Sequence, residues 1–289
     1  MLRQIIVNAD DFGYTPGVSQ GILEAHLNGI VTSTSVMVNM PAAEQWVKTA
    51  LKEAPDLGLG LHLNLTTGRP VSRLEDVEGL VDADGVFYPK HELLNRLPTI
   101  DPAYVERELL AQVARFEQLT GRLPDHLDSH HHITYMSPPT MKLMAKLARE
   151  LEVPMRRPLP GGDDISAAAD FLEALGGFTN RVYVEELAAV IQGYTTHIST
   201  PMPDHLNVEF HGEQTTLGDL LLILLHVPEG ITELVCHPGH VDDELRQTAS
   251  YVEPREAELA ALTHPSAREL LNSEFIQLLN FGDLKLFAR

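Results

Sequence analysis

A single cysteine, Cys236, stands in this chain of 289 residues, so no intrachain disulfide framework is available. Long apolar runs are missing too. The longest candidate, Leu220 to Val227, falls far short of the roughly 20 residues a membrane span requires. The N-terminus goes almost directly into Gln4-Ile5-Ile6-Val7-Asn8, with no apolar leader region and no small-residue cleavage site, so no signal peptide is expected. Basic residues are scarce. Lys and Arg number 21 against 41 Asp and Glu, a formal charge of −20. Such a surface repels phosphates and anionic membranes, which argues against nucleic-acid or membrane partners and favours a neutral substrate. No Gly-rich phosphate loop follows the first apolar run, which weakens a nucleotide-binding doubly wound sheet. Internal repeats and low-complexity tracts are absent. The expectation is a soluble cytoplasmic protein.

What is present is enough apolar material, 44% of residues, to bury a large core. Residues 1–289 read as one domain of barrel size, with an irregular insertion or lid around 158–181. Residues 4–10 form a buried strand by pattern. Thr15-Pro16 then supplies a helix N-cap and a proline at the first helical position. Thr34–Val38 predicts a second strand, and Pro41 opens a second helix. In 57–65 every leucine falls on one face, while Gly58, Gly60, His62 and Asn64 fall on the other. That second face must meet something close that tolerates glycine and accepts a polar tip. Residues 79–88 suggest a hairpin turned at Asp84-Gly85. An amphipathic stripe over 101–119 predicts a helix ended by Gly121. Strands are expected at 126–130, 153–156, 205–210, 231–239 and 275–281, with helices between most of them. The region 158–181, with Pro160-Gly161-Gly162-Asp163-Asp164 and Gly176-Gly177, reads as a loop carrying a short helix, 167–175. The strand–helix alternation predicts an α/β fold, an irregular (β/α) barrel of TIM type with seven or eight mostly parallel strands.

Chemistry concentrates at the strand ends, where such a barrel carries its functional side chains. Asp10-Asp11, His62, His130 and His237 lie at the ends of four separate predicted strands. Imidazole and carboxylate are the donors a divalent metal takes. Adjacent carboxylates can divide labour, one binding metal and one acting as base. Neighbours on a regular strand face opposite ways, so both reach one site only where the strand gives way, and Phe12-Gly13 supplies a break. In Asp128-Ser129-His130-His131-His132, alternation puts His130 and His132 on the side of Asp128 and turns His131 away. It does not choose between His130 and His132, and at least one of the run is left to a supporting role. Asn64, Asp128 and His132 are therefore candidates for substrate contact or for supporting the ligands.

The blocks Asn8-Ala9-Asp10-Asp11-Phe12-Gly13, Val31-Thr32-Ser33-Thr34, Leu61-His62-Leu63-Asn64-Leu65-Thr66, His126 to His132 and Cys236-His237-Pro238-Gly239 resemble, in order, the signature of the YdjC-like carbohydrate deacetylases. Tyr251, Arg255 and Glu258 resemble that family's C-terminal block. The resemblance implies an irregular (β/α) barrel and one divalent metal, Mg2+ or Zn2+, held by Asp11, His62 and His130. It implies Asp10 as general base and His237 as general acid, with Arg156 and Arg255 orienting Asp10 or the substrate. The implied reaction removes acetyl from the amide of an N-acetylated sugar, such as an N-acetylglucosamine oligosaccharide, giving acetate and an amino sugar. A mixed Asp-His-His set suits zinc by ligand softness. The rivals are a metal hydrolase acting on a phosphoester or cyclic amide, and a non-catalytic barrel that retains metal. The presence of both Asp10 and His237 argues against the latter, because holding metal needs neither. A homodimer is carried as an open expectation.

Overall fold

The computed structural model describes residues 2–160, 162 and 164–287. Its strands are β1 (Arg3–Phe12), β2 (Ser33–Val36), β3 (Gly58–Leu63), β4 (Leu127–Ser129), β5 (His205–Asn207), β6 (Gly230–Cys236) and β7 (Ile276–Leu279). They form one curled sheet in the order β4-β3-β2-β1-β6-β5, with β7 also on β1. Every strand pairing is parallel. The first half of β1 has β7 beside it, from Arg3 opposite Ile276 to Ile6 opposite Leu279. Beyond that, β2 takes the same edge, starting with Asn8 opposite Ser33. The crossovers are helices, as a parallel sheet requires. The first, Pro16–Leu27, is capped as its sequence predicts, with the Thr15 side chain accepting from the Val18 N–H and Pro16 at the first position.

β4 and β5 are the two ends of the sheet, and among the described residues no regular strand lies between them. Residues 153–156, expected to form one, make a single bridge of Met155 to Leu127. Pro154 has no N–H to give a ladder. Its carbonyl accepts from Leu127, the Arg156 N–H donates to Leu127, and the Met155 N–H reaches Pro201 on the far side. This segment lies along β4 and delivers Arg156 to the barrel interior, where it is fully buried.

Side-chain alternation along β1 divides the two environments. Ile5, Val7 and Ala9 join the large core beneath the helices. Ile6 instead joins Ile231, Leu279, Phe281 and Leu284 in a separate apolar plug. Above the plug the filling turns polar: Asn8 donates to Ser35 and to Asp10, and Ser35 donates to Asp128. The glycines of β3 make room here. The His126 ring stacks on Phe281 at 3.8 Å between centroids, and a Cβ on Gly60 would lie 2.2 Å from that ring.

Other expectations shift in detail. The hairpin at 79–88 reduces to one antiparallel bridge, Val81 to Phe87. Of 205–210, only His205–Asn207 pairs. The region 158–181 is more regular than its composition suggests. Helix Ile165–Gly176 packs against helix Arg181–Thr195 around Ala168, Leu172, Val184 and Leu187. Asp164 caps the first of these through Ser166 and Ala167, while Gly161 and Asp163 lie outside the described residues. Among the described residues, no helix is long and apolar enough to cross a membrane.

The packing at Gly60 is testable. Gly60→Ala is expected to destabilise the protein by about 1–3 kcal/mol, the usual cost of overpacking, measured by urea unfolding. The double variant Gly60→Ala/His126→Ala should recover part of that loss. An unchanged midpoint for Gly60→Ala would contradict this packing.

Candidate metal centre and active site

Asp10 and Asp11 reach one site by a backbone device inside β1. The strand continues to Phe12, and the irregularity falls on Asp11 itself, which has φ 74°. The register against β2 shifts between Ala9 and Phe12. Aspartate is among the few residues that tolerate this left-handed conformation. The bulge lets both carboxylates point inward, so the break lies one residue earlier than Phe12-Gly13.

The histidine run does not behave as a strand. β4 ends at Ser129, and His130–Tyr135 is a tight turn in which His131 and His132 have φ of 54° and 53°. Alternation therefore stops applying at His130. His131 does not turn away. Its ring stacks on His130 with centroids 3.9 Å apart, and its Nδ1 lies 2.9 Å from the Thr66 hydroxyl. His132 goes elsewhere, against Tyr135 and Phe171, and its Nδ1 is buried without a partner.

Asp11, His62 and His130 come together, all buried, with one donor atom from each within 4.8 Å of the others. His130 Nδ1 is 3.0 Å from Asp11 Oδ1, and His62 Nε2 is 3.5 Å from the same oxygen. Each histidine is oriented by its other nitrogen. His62 Nδ1 is 2.7 Å from Asp128 Oδ1, and His130 Nε2 is 3.1 Å from the Thr67 hydroxyl. This arrangement, ligand nitrogen inward and a hydrogen-bond partner behind, fits a metal-binding imidazole. Asp11 Oδ1 is buried with no hydrogen-bond donor, whereas Oδ2 takes Arg255 Nη2 at 2.6 Å. A buried carboxylate oxygen facing two imidazole nitrogens fits a cation. A second grouping, Asp10, His62 and Asp128, is also close. Arg156 already neutralises it, with Nη2 at 2.6 Å from Asp10 Oδ1 and 3.0 Å from Asp128 Oδ2.

Arg156 also donates through Nε to Glu233 at 2.7 Å and through Nη1 to Asp10 Oδ2 at 2.8 Å. Electrostatics follow from this crowding. Burial pushes the Asp10 and Asp11 carboxyls up, but the attraction of Arg156 on one and Arg255 on the other prevails and holds both below the usual range. Burial depresses His62, yet Asp128 and Asp10 outweigh it and raise it to about 10. Burial lifts Glu233 to about 8 against the pull of Arg156.

His237 directly follows β6, with Nε2 3.9 Å from Asp10 Oδ2 and its side chain 22% exposed. Burial lowers it to about 3, so the imidazole is neutral at neutral pH. Its backbone N–H donates to Glu258, which also accepts from the Tyr251 hydroxyl. Asn64 lies outside the cluster and shapes the adjoining turn. Its Oδ1 accepts from the Thr66 and Thr67 N–H groups, placing the two hydroxyls under His131 and His130. Gln112, buried on a helix face, clasps both the N–H and the carbonyl of Asn64. Thr67, Glu233 and Gln112 were not singled out in the sequence. The available signal was a polar residue at an apolar register, Glu233 in β6 and Gln112 on the stripe of helix Pro102–Thr120. Thr67 gave none.

Known proteins share this whole architecture. A family model described as YdjC-like protein matches residues 4–273. A carbohydrate deacetylase of Brevibacillus brevis strain 47 is 35% identical, covering 97% of this chain and 99% of its own length. A carbohydrate deacetylase of Geobacillus stearothermophilus is also 35% identical, over 98% of each chain. A crystal structure from Enterococcus faecalis V583, provisionally named a cellobiose-phosphate cleavage protein, superposes with a TM-score of 0.81 at 29% identity, with both chains covered at 100%. Matched in sequence and in fold along nearly its full length, the chain belongs to the YdjC-like family.

Proposed function

We propose that this protein is a divalent-metal-dependent hydrolase that removes the acetyl group from an N-acetylated sugar, releasing acetate and the free amino sugar. The observation that carries the reading is the buried, donor-free Asp11 Oδ1 faced by His62 Nε2 and His130 Nδ1, with Asp10 and His237 beside it. Full-length relatives named carbohydrate deacetylase support an acetylated carbohydrate as the substrate. Asp11, His62 and His130 hold the cation. Two imidazoles in the set favour zinc over magnesium. When bound, the cation supplies a Lewis acid that polarises the amide carbonyl and activates water.

The chain's own groups move the proton. Asp10 Oδ1 accepts from Asn8 and Arg156, whereas Oδ2 accepts one hydrogen bond, from Arg156 Nη1, and faces His62 Nε2 at 3.8 Å and His237 Nε2 at 3.9 Å. Oδ2 therefore receives the proton of the attacking water. His237, neutral at rest, has no proton to spare beyond its own N–H. The proton taken by Asp10 passes through one bridging water to His237 Nε2, 3.9 Å away, and from there to the departing nitrogen. The water oxygen bonds the carbonyl carbon, the C–N bond breaks, and acetate and the amine leave.

Metal content of purified variants tests the ligands. His62→Ala and His130→Ala should lose most bound metal, and Thr67→Val should weaken affinity by about 10–100-fold, the usual worth of a group that orients a ligand. Because His62 is raised to about 10, metal uptake at neutral pH expels its proton, so affinity should tighten as pH rises. Full loading of His130→Ala would sink the assignment.

Asp10→Asn should keep metal and lose about two to four orders of magnitude in acetate release. A rate near wild type would move the base elsewhere.

His237→Ala should retain metal and cripple N-acetyl sugar hydrolysis while largely sparing an activated acetyl ester, whose leaving group needs no proton. Equal losses on both substrates would assign His237 to positioning instead.

A further inference from the structure

The net charge of this protein repels phosphates, but one cavity is a local exception. It measures about 340 Å³ and lies where helix Pro138–Glu150 packs near the end of helix Arg181–Thr195 and the segment that follows it. That volume suits a small molecule. Lys142, Lys146 and Arg149 line it from the first helix. Their spacing of four and three residues sets them on one helix face. Tyr194, His197 and Thr200 line it from the other side. No lining residue is Asp or Glu, although the chain holds 41 of these against 21 Lys and Arg.

The three cations differ in what already holds them. Lys146 is paired with Glu106 at 2.7 Å. Lys142 has its ammonium 4.9 Å from the centroid of the Tyr194 ring. Among the described residues, neither Lys142 nor Arg149 has a carboxylate partner. The cavity therefore carries two uncompensated positive charges on one wall.

The opposite wall supplies a second, independent observation. Thr200 is only 7% exposed, yet its hydroxyl is buried with no hydrogen-bond partner. Buried hydroxyls are nearly always satisfied, so one left open on a cavity wall marks a place for a ligand atom. The residue is also held in place. Pro201 follows it and restricts its backbone. The Pro201 carbonyl in turn accepts from the Met155 N–H, which ties this segment to the one that carries Arg156. A neutral ligand would leave both free cations unmatched. A tetrahedral dianion matches them: guanidinium donates to two of its oxygens at once, ammonium to a third, and a hydroxyl donor can serve another.

We infer that this cavity is a binding site for a phosphate group, carried by a small phosphomonoester or free as the inorganic ion, and held by Lys142, Arg149 and the Thr200 hydroxyl. None of these residues belongs to the metal centre, and the inference does not rest on the deacetylase reading.

Calorimetric titration of the full chain with inorganic phosphate, adenosine monophosphate and adenosine tests the site, with metal first removed by chelator so that phosphate meets no ion. Phosphate and the monophosphate should bind, adenosine should not, and affinity should fall as salt is added. A tighter monophosphate would identify an ester as the ligand and equal affinities the bare phosphate group; both uphold the site. Lys142→Ala and Arg149→Ala, at exposed positions, should each weaken binding by about tenfold, the usual worth of a hydrogen bond to a charged group. Arg149→Lys should recover only part of that loss, because lysine lacks the fork. Thr200→Val should also weaken binding, yet leave the melting temperature of the free protein unchanged or higher, because the hydroxyl it removes has no partner to lose. His130→Ala, which disables the metal centre, should bind phosphate as the wild type does. No binding of either phosphate compound, adenosine binding as tightly as its monophosphate, undiminished affinity in Arg149→Ala and Thr200→Val, or loss of binding in His130→Ala would overturn the site.

Discussion

One buried guanidinium holds the interior together. Arg156 is fully buried and reaches Asp10, Asp128 and Glu233. Those carboxylates come from β1, β4 and β6, so the barrel walls cannot approach one another until a cation lies between them. Lysine could not substitute, because the contacts use Nε, Nη1 and Nη2 of a planar fork. Leaving such a charge cluster unpaired costs on the order of 3–5 kcal/mol. Arg156 arrives on the segment bridged to β4 at Met155, so the same segment that extends this edge of the sheet supplies the cation of the site.

The remaining groups fall into place around that constraint. With Arg156 engaged by Asp10 and Asp128, their histidine neighbour His62 is fixed by Asp128 and turns Nε2 towards Asp11. Arg255 takes the outer oxygen of Asp11 and leaves the inner one to the histidines. Each aspartate thus meets one arginine. The difference lies in how the arginine binds: Arg255 takes one oxygen of Asp11 and leaves the other to His62 and His130, whereas Arg156 spans both oxygens of Asp10, whose Oδ2 lies near His62 and His237. The separate tasks proposed for these adjacent residues rest on this asymmetry.

Much of this was legible in the sequence, for identifiable reasons. Strand–helix alternation gave a parallel sheet, and polar residues ending strands marked the rim where side chains gather. The alternation of β3 told of a close polar interior, and the His126 ring against Gly60 is that neighbour. What failed to show was backbone irregularity. Periodicity assumes a regular strand, so it could not see the bulge at Asp11 or the left-handed His131 and His132. It therefore could not separate His130 from His132. Supporting groups were hidden for another reason. Thr67 acts through a single hydroxyl brought in by a turn that Asn64 shapes, and nothing in a lone threonine signals that. Glu233 did carry a signal, an acid within an apolar strand, which reads as an interior charge only once a buried partner such as Arg156 is placed beside it.

Anomalous diffraction from crystals of the zinc-loaded protein bears most directly on the central claim. The account predicts one peak bonded to Asp11 Oδ1, His62 Nε2 and His130 Nδ1 at about 2.0–2.2 Å, with Arg156 still joining Asp10 to Asp128. A peak between Asp10 and Asp128 with Arg156 displaced, or one held by His131 or His132 in place of His130, would contradict it.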